Sequence, residues 1–314
     1  MRKLLIIVLL VFVTGCVNYV ELSDIEVIEN LAIDYEDKMY KIAVTTVSKD
    51  KEKEYKVKKA QGNTLNDAIQ NLKMKENKKI YIAHLNLLLL TKDVVESNLD
   101  DVIEFFLNNS ESRNDFDIAI TEGLDVLDDA KDIKNGIKIV EEDLATTKSI
   151  LFEEFLSDVL DENTTYLPLV LTNNKIDGIM IIKTFKDMIS LKEEECILYN
   201  FMDNSIKQTT FREIPVLSSM TSYNFKDGTL NIDINLTTSV NDGKIERKLE
   251  EAIKEMFNKY KKKNIDIFNI ENKVCNKNTK YCKKHQESLL KDVKLFVDVK
   301  LENKTVNDME VNLK

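Results

Sequence analysis

The chain has 314 residues, with 45 Lys and Arg against 55 Asp and Glu, and a net charge of −10. That balance argues against nucleic acid, whose phosphates reward a basic surface; acidic and basic residues are interspersed, so no polybasic patch for anionic lipid stands out. Hydrophobic residues at 43% supply real cores, while two Pro, seven Gly and no Trp leave no flexible linker between units.

Arg2 and Lys3 open the chain and ten apolar residues follow from Leu4 to Val13. Thr14-Gly15-Cys16 comes next, with Val13 where Leu is usual. Basic, apolar, small, cysteine is the order of a secretory signal with a lipobox. The apolar run is half the roughly 20 residues that a membrane span needs. The expectation is a signal peptide over 1–16, a lipid on Cys16, and an extracytoplasmic protein on that tether.

Residues 17–24 read as a short lead. Residues 31–34 and 39–47 read as a hairpin with a polar turn at 35–38, since Tyr40, Ile42 and Val44 alternate with polar neighbours. Residues 48–60 are charged, a loop or a sheet edge. Thr64 and Asp67 form a capping-box variant. Leu65, Ala68, Ile69 and Leu72 then mark one helix face. Residues 80–90 are too apolar for a half-exposed strand and predict a central strand covered on both faces. Leu99, Val102, Ile103, Phe106 and Leu107 mark another helix, and 116–120 a strand. Helices are expected over 123–130 and 145–160.

A shift falls near 161–165. Strands follow at 166–171, 176–182 and 211–216, with Ser190 and Glu193 as a capping box opening a helix to about 202. Asp227-Gly228 between alternating runs predicts a hairpin with a type I′ turn. A long helix runs from about 244 to 262, supported by Glu250–Lys254 and Glu255–Lys259 pairs. Val293, Leu295, Val297, Val299 and Leu301 predict a last strand. The fold class is α+β in about three small domains, each a mixed or antiparallel sheet covered by helices. Their expected bounds are 17–163, an N-terminal α+β domain; 164–217, a small middle β/α domain; and 218–314, a C-terminal α+β domain.

Chemistry is scarce. No glycine loop, G-x-S-x-G or H-E-x-x-H occurs, and no carboxylate stands in an apolar setting that would tune it. No catalytic residue, cofactor site or metal site is assigned. His84, inside the apolar run 80–90, reads as a hydrogen-bonded structural residue, and Cys196 as a small core residue. Cys275, Cys282 and His285 leave three readings open: a zinc site short of a fourth ligand, a local disulfide suited to an extracytoplasmic compartment, or free thiols.

Taken together, several stretches resemble the Ger(x)C family, the C-subunit lipoproteins of spore germinant receptors. They are Cys16 to Leu22, Leu31-Ala32-Ile33-Asp34, Gly62-Asn63-Thr64-Leu65 with Ala68, and Ile80 to Leu85. Phe105-Phe106-Leu107 with Glu111 and Arg113, Gly178 to Phe185, and Asp266-Ile267-Phe268-Asn269-Ile270 complete the series. The tryptophan and arginine of the family's opening segment are Val17 and Val20 here. The resemblance implies a non-enzymatic, three-domain lipoprotein on the outer face of the spore inner membrane. It implies partnership with a multi-pass A subunit and a transporter-like B subunit, in a complex that senses nutrient germinants. Only the lipidated cysteine carries over, onto Cys16. The alternative is a solute-binding lipoprotein of an importer. Such a protein is expected as two similar α/β lobes about a cleft, and the chain shows no βαβ repetition.

Overall fold

The structure, a computed structural model, describes residues 25–46, 57–109, 112–128, 133–171, 173, 175–184, 187–240, 244–285 and 288–303. Its strands are β1 Ile25–Glu36, β2 Met39–Thr46, β3 Val57–Gly62, β4 Lys79–Tyr81, β5 Leu87–Thr91, β6 Asp117–Thr121, β7 Thr165–Val170, β8 Ile176–Thr184 and β9 Asp187–Leu191, then β10 Thr209–Phe211, β11 Ile214–Lys226, β12 Thr229–Thr238 and β13 Lys294–Asn303. The α-helices are α1 Leu65–Glu76, α2 Lys92–Ser97, α3 Leu99–Asn108, α4 Ile133–Leu144, α5 Phe152–Leu160, α6 Glu194–Met202, α7 Ile245–Lys261, α8 Ile270–Lys277, α9 Thr279–His285 and α10 Leu289–Asp292.

The strands make two sheets. The nine-stranded sheet runs β3-β2-β1-β5-β6-β7-β8-β9, with β4 also on β1. Its centre is parallel and its flanks are antiparallel hairpins. The four-stranded sheet runs β10-β11-β12-β13. A mixed architecture of helices and sheets is therefore present, but among the described residues the expected third sheet is not. Strands 166–171 and 176–182 extend the first sheet, because β7 lies parallel to β6 through Ile120↔Leu169 and Thr121↔Val170.

The centre is covered on both faces, as the apolar run implied. Leu88 and Leu90 face a core with α1 and α3, and Leu87 and Leu89 face a second core with Val126, Leu127, Ile133 and Ile137. The run 80–90 is nevertheless two strands. Between the pairings Val27↔Tyr81 and Asn30↔Leu87, β1 advances three residues and its partner six. The surplus loops out through a turn closed by Leu85 N–H to the Ile82 carbonyl at 3.0 Å. His84 rides on that turn and is exposed, not buried in a strand.

Local signals were realised unevenly. Thr64 caps α1 reciprocally: its hydroxyl accepts from Asp67 N–H at 3.0 Å, and its own N–H donates to the Asp67 carboxylate at 3.2 Å. Ser190 caps nothing. It lies in β9 opposite Met180, and α6 starts only at Glu194 without a side-chain cap. The helix expected over 145–160 begins at Phe152, while α4 was not foreseen; Ala145, at φ 53°, ends α4 and starts an extended stretch. Where a helix over 123–130 was expected, the described residues hold one 3-10 turn, Leu124–Leu127. Strand 211–216 is broken by a turn at Arg212-Glu213, both at positive φ, and Asp227-Gly228 adopts the same left-handed pair.

Helix α7 crosses from β12 to β13 with Leu249, Ile253, Met256 and Phe257 buried. Of its two expected pairs Glu250–Lys254 forms, whereas Lys259 reaches Glu195 instead. Strand β13 is the sheet's edge. Two carboxylates of α7 occupy that edge: Val299 N–H donates to Glu250 at 3.2 Å and Leu301 N–H to Glu246 at 3.0 Å.

Candidate functional site at the junction of the two sheets

The segment between α4 and α5 crosses to the second unit, and a buried amide pins it. Asn200 of α6 donates through Nδ2 to the carbonyls of Ala145 (2.8 Å) and Thr147 (2.9 Å), and the Thr147 hydroxyl donates to the Gly178 carbonyl at 2.9 Å. This fixes Lys148. Its ammonium pairs with Asp203 and stands 4.5 Å from the Tyr166 ring centre and 5.9 Å from that of Tyr199. The Tyr166 and Tyr199 rings meet edge-on at 5.7 Å, and Phe268 stacks on Tyr199 at 6.4 Å.

Lys273 enters from the other side. Its Nζ donates to the Phe268 carbonyl at 2.6 Å and lies 5.2 Å from the Tyr223 ring. Burial pulls this amine below the usual lysine range, and burial raises the Tyr166, Tyr199 and Tyr223 hydroxyls, so all three phenols stay protonated. Asp266 is pushed up to about 6, first by desolvation; the amides of Ile270 (2.8 Å) and Glu271 (2.7 Å), which its carboxylate accepts, oppose the rise. It thereby caps the start of α8. Beside it opens a cavity of about 500 Å³, lined among others by Thr165, Lys183, Asn264, Asn269 and Glu271.

The cluster joins elements from residues 148 to 273 into one polar seam. Among the described residues it places no nucleophile next to a base, and its three tyrosines stay protonated. Its chemistry is to fix the two sheets against each other and to offer a polar cavity at their border. Sequence reading missed Lys148, Tyr166, Tyr199, Tyr223 and Lys273, which are far apart in the chain. It also found no carboxylate in an apolar setting, whereas Asp266 is one; the signal available was its place in the 266–270 motif.

The residues singled out from sequence lie elsewhere. Cys16 falls outside the described residues. Cys275 and Cys282 are joined by a disulfide, 2.08 Å between sulfurs. His285 stacks on Tyr281 at 4.2 Å and shares a hydrogen bond with Asp292 at 2.8 Å. Cys196 is fully buried, donates to the Leu191 carbonyl at 3.2 Å, and has its thiol pushed up to about 12 by burial. Among the described residues no group of three His, Cys, Asp or Glu side chains is placed to hold a metal, and no helix is long and apolar enough to cross a membrane.

Comparison with known proteins covers most of this architecture. Residues 18–172 match the family described as "Spore germination protein N-terminal domain". The chain is 22% identical over 236 residues to the putative spore germination protein YfkR of Bacillus subtilis, covering 64% of this chain and 60% of that protein. It is 20% identical over 232 residues to spore germination protein GerQC of Bacillus cereus, covering 67% and 63%. These alignments thus span about three-fifths of each relative. The crystal structure of the GerBC protein superposes with a TM-score of 0.54 at 18% identity, over 87% of this chain and 97% of that one, a likeness of fold.

Proposed function

Since the chain belongs to the Ger(x)C family of spore germination proteins, we propose that it is the non-enzymatic, lipid-anchored C subunit of a nutrient germinant receptor, needed for spore germination. The carrying observation is the family match over residues 18–172, whose described part holds strands β1 to β7 of the nine-stranded sheet. The seam of lysines, neutral tyrosines and one buried carboxylate ties the two sheets together, as a subunit that transmits geometry to its partners requires. In this reading Cys16 carries the lipid, the Cys275–Cys282 bridge persists in the extracytoplasmic compartment, and the protein stands on the outer face of the spore inner membrane. Its partners are the receptor's multi-pass A subunit and transporter-like B subunit.

The test is a pull-down of the tagged protein from detergent-solubilised spore membranes, with mass spectrometry of what comes with it. Co-purification of two membrane subunits is expected. Recovery of the protein alone, or with an importer's permease, overturns the receptor reading.

A further inference from the structure

Along the whole chain acidic and basic residues look mixed. Residues 259–294 depart from this, with eleven lysines against four carboxylates in a protein of net charge −10. The fold gathers this excess at one end of the four-stranded sheet. Tyr281 of α9 packs edge-on against Phe225 at 4.8 Å, and its hydroxyl sits where a Cβ on Gly228 would come within 3.3 Å. The amide of Lys294, at the start of β13, donates to the Gly228 carbonyl at 3.0 Å. Helix α9 buries no residue of its own, and the Cys275–Cys282 bridge ties it to α8.

Lys277, Lys280, Lys283, Lys284, Lys291 and Lys294 are all exposed, on α8, α9, α10 and the start of β13, and none forms an ion pair with a described residue. Of the nearby carboxylates, Asp292 is taken up by His285 and by the Ser288 hydroxyl at 2.5 Å, and Asp227 is the exposed counter-charge at the turn itself. Phe296, 53% exposed, stands on the outer face two residues beyond Lys294.

We propose that this end of the molecule docks on anionic phospholipid. The proposal rests on the lipid-tether reading: the tether holds the protein at the membrane, and the lysines turn this end toward the headgroups. Like charges without internal partners raise the local potential and draw polyanions within a Debye length, about 8 Å at physiological salt. A lipid surface is favoured over nucleic acid or an acidic protein on two grounds. An exposed aromatic beside lysines is the composition of a membrane-interface anchor. A tether also keeps the bilayer at high effective concentration.

The experiment places the full chain on vesicles of neutral phosphatidylcholine, with or without phosphatidylglycerol, and maps lysine acetylation by a water-soluble reagent. Lys280, Lys283 and Lys284 should label severalfold more slowly on the anionic vesicles, with the difference vanishing in high salt and exposed Lys192 unchanged. In a C16S background the K280S/K283S/K284S variant should lose the gain in partition between neutral and anionic vesicles. At about fivefold per lysine the loss is on the order of a hundredfold. These positions are exposed, and an unchanged melting curve confirms folding; the labelling pattern of the parent stands without the variant. Equal labelling on both vesicle types overturns the proposal, as does protection that appears only with nucleic acid or a partner subunit. Washing off neutral vesicles while labelling is still slowed on anionic ones would sink the tether and leave the patch standing.

Discussion

Asp266 shows what a single residue's surroundings do. Its carboxyl titrates near 6 because burial disfavours the charged form, against 3.8 for a free side chain. The folded state therefore holds this proton more tightly than the unfolded chain. The resulting stabilisation is fully present below about pH 4 and is lost as pH rises through about 6. D266N removes that titration. The stability of wild type relative to D266N should rise by up to about 3 kcal/mol from pH 7 to pH 4, measured by urea unfolding at both values. A constant difference would show that the carboxylate ionises like an exposed one. Apart from its place in the 266–270 motif, nothing in the chain beside Asp266 announces this burial, which the tertiary fold imposes. Cys196 was legible as core because a thiol amid Ile197, Leu198 and Phe201 has only an apolar interpretation.

At the scale of the element, signals contained within one turn were readable and those decided by neighbours were not. The Thr64–Asp67 box and the 230–236 alternation need no distant partner, and both formed. The Ser190–Glu193 pattern has the same spacing, but Leu191 is fully buried and paired with Ile179, so the strand outcompeted the helix start. Paired substitutions separate the two. T64A should lose about 1 kcal/mol by thermal or urea unfolding. S190A should lose nothing measurable, since its hydroxyl is buried without a partner in the described structure and removing an unsatisfied group is neutral or favourable. A loss at Ser190 equal to that at Thr64 would restore the cap. The division of 80–90 was equally out of reach: a continuous apolar run fits one strand or two, and only the register on β1 decides.

The whole molecule depends on the central sheet, and on the two carboxylates that close its smaller companion. Leu88 is fully buried between β1 and β6. L88D leaves a charge without a partner there, at a cost of several kcal/mol against a typical stability of about 5–15, and loss of the cooperative melt is expected. On the proposed lipid-anchored reading, C16A should keep the parent's melting curve, deplete the protein from membranes and slow germination on the cognate nutrient, while responses that bypass receptors stay normal. Normal germination with every nutrient, with no receptor subunit recovered by pull-down even from wild type, would remove the germination reading. Glu246 and Glu250 of α7 have a consequence of another kind. Molecules held on a surface meet edge to edge at high density, and a strand with free amides then recruits the next copy into a growing ribbon. Strand β13 has surrendered the amides of Val299 and Leu301 to its own helix. The helix thus closes part of this edge, and a neighbouring copy finds two of its amides already taken. E246A/E250A should keep its secondary structure by circular dichroism and yet scatter light and bind an amyloid dye on standing, where the parent stays clear.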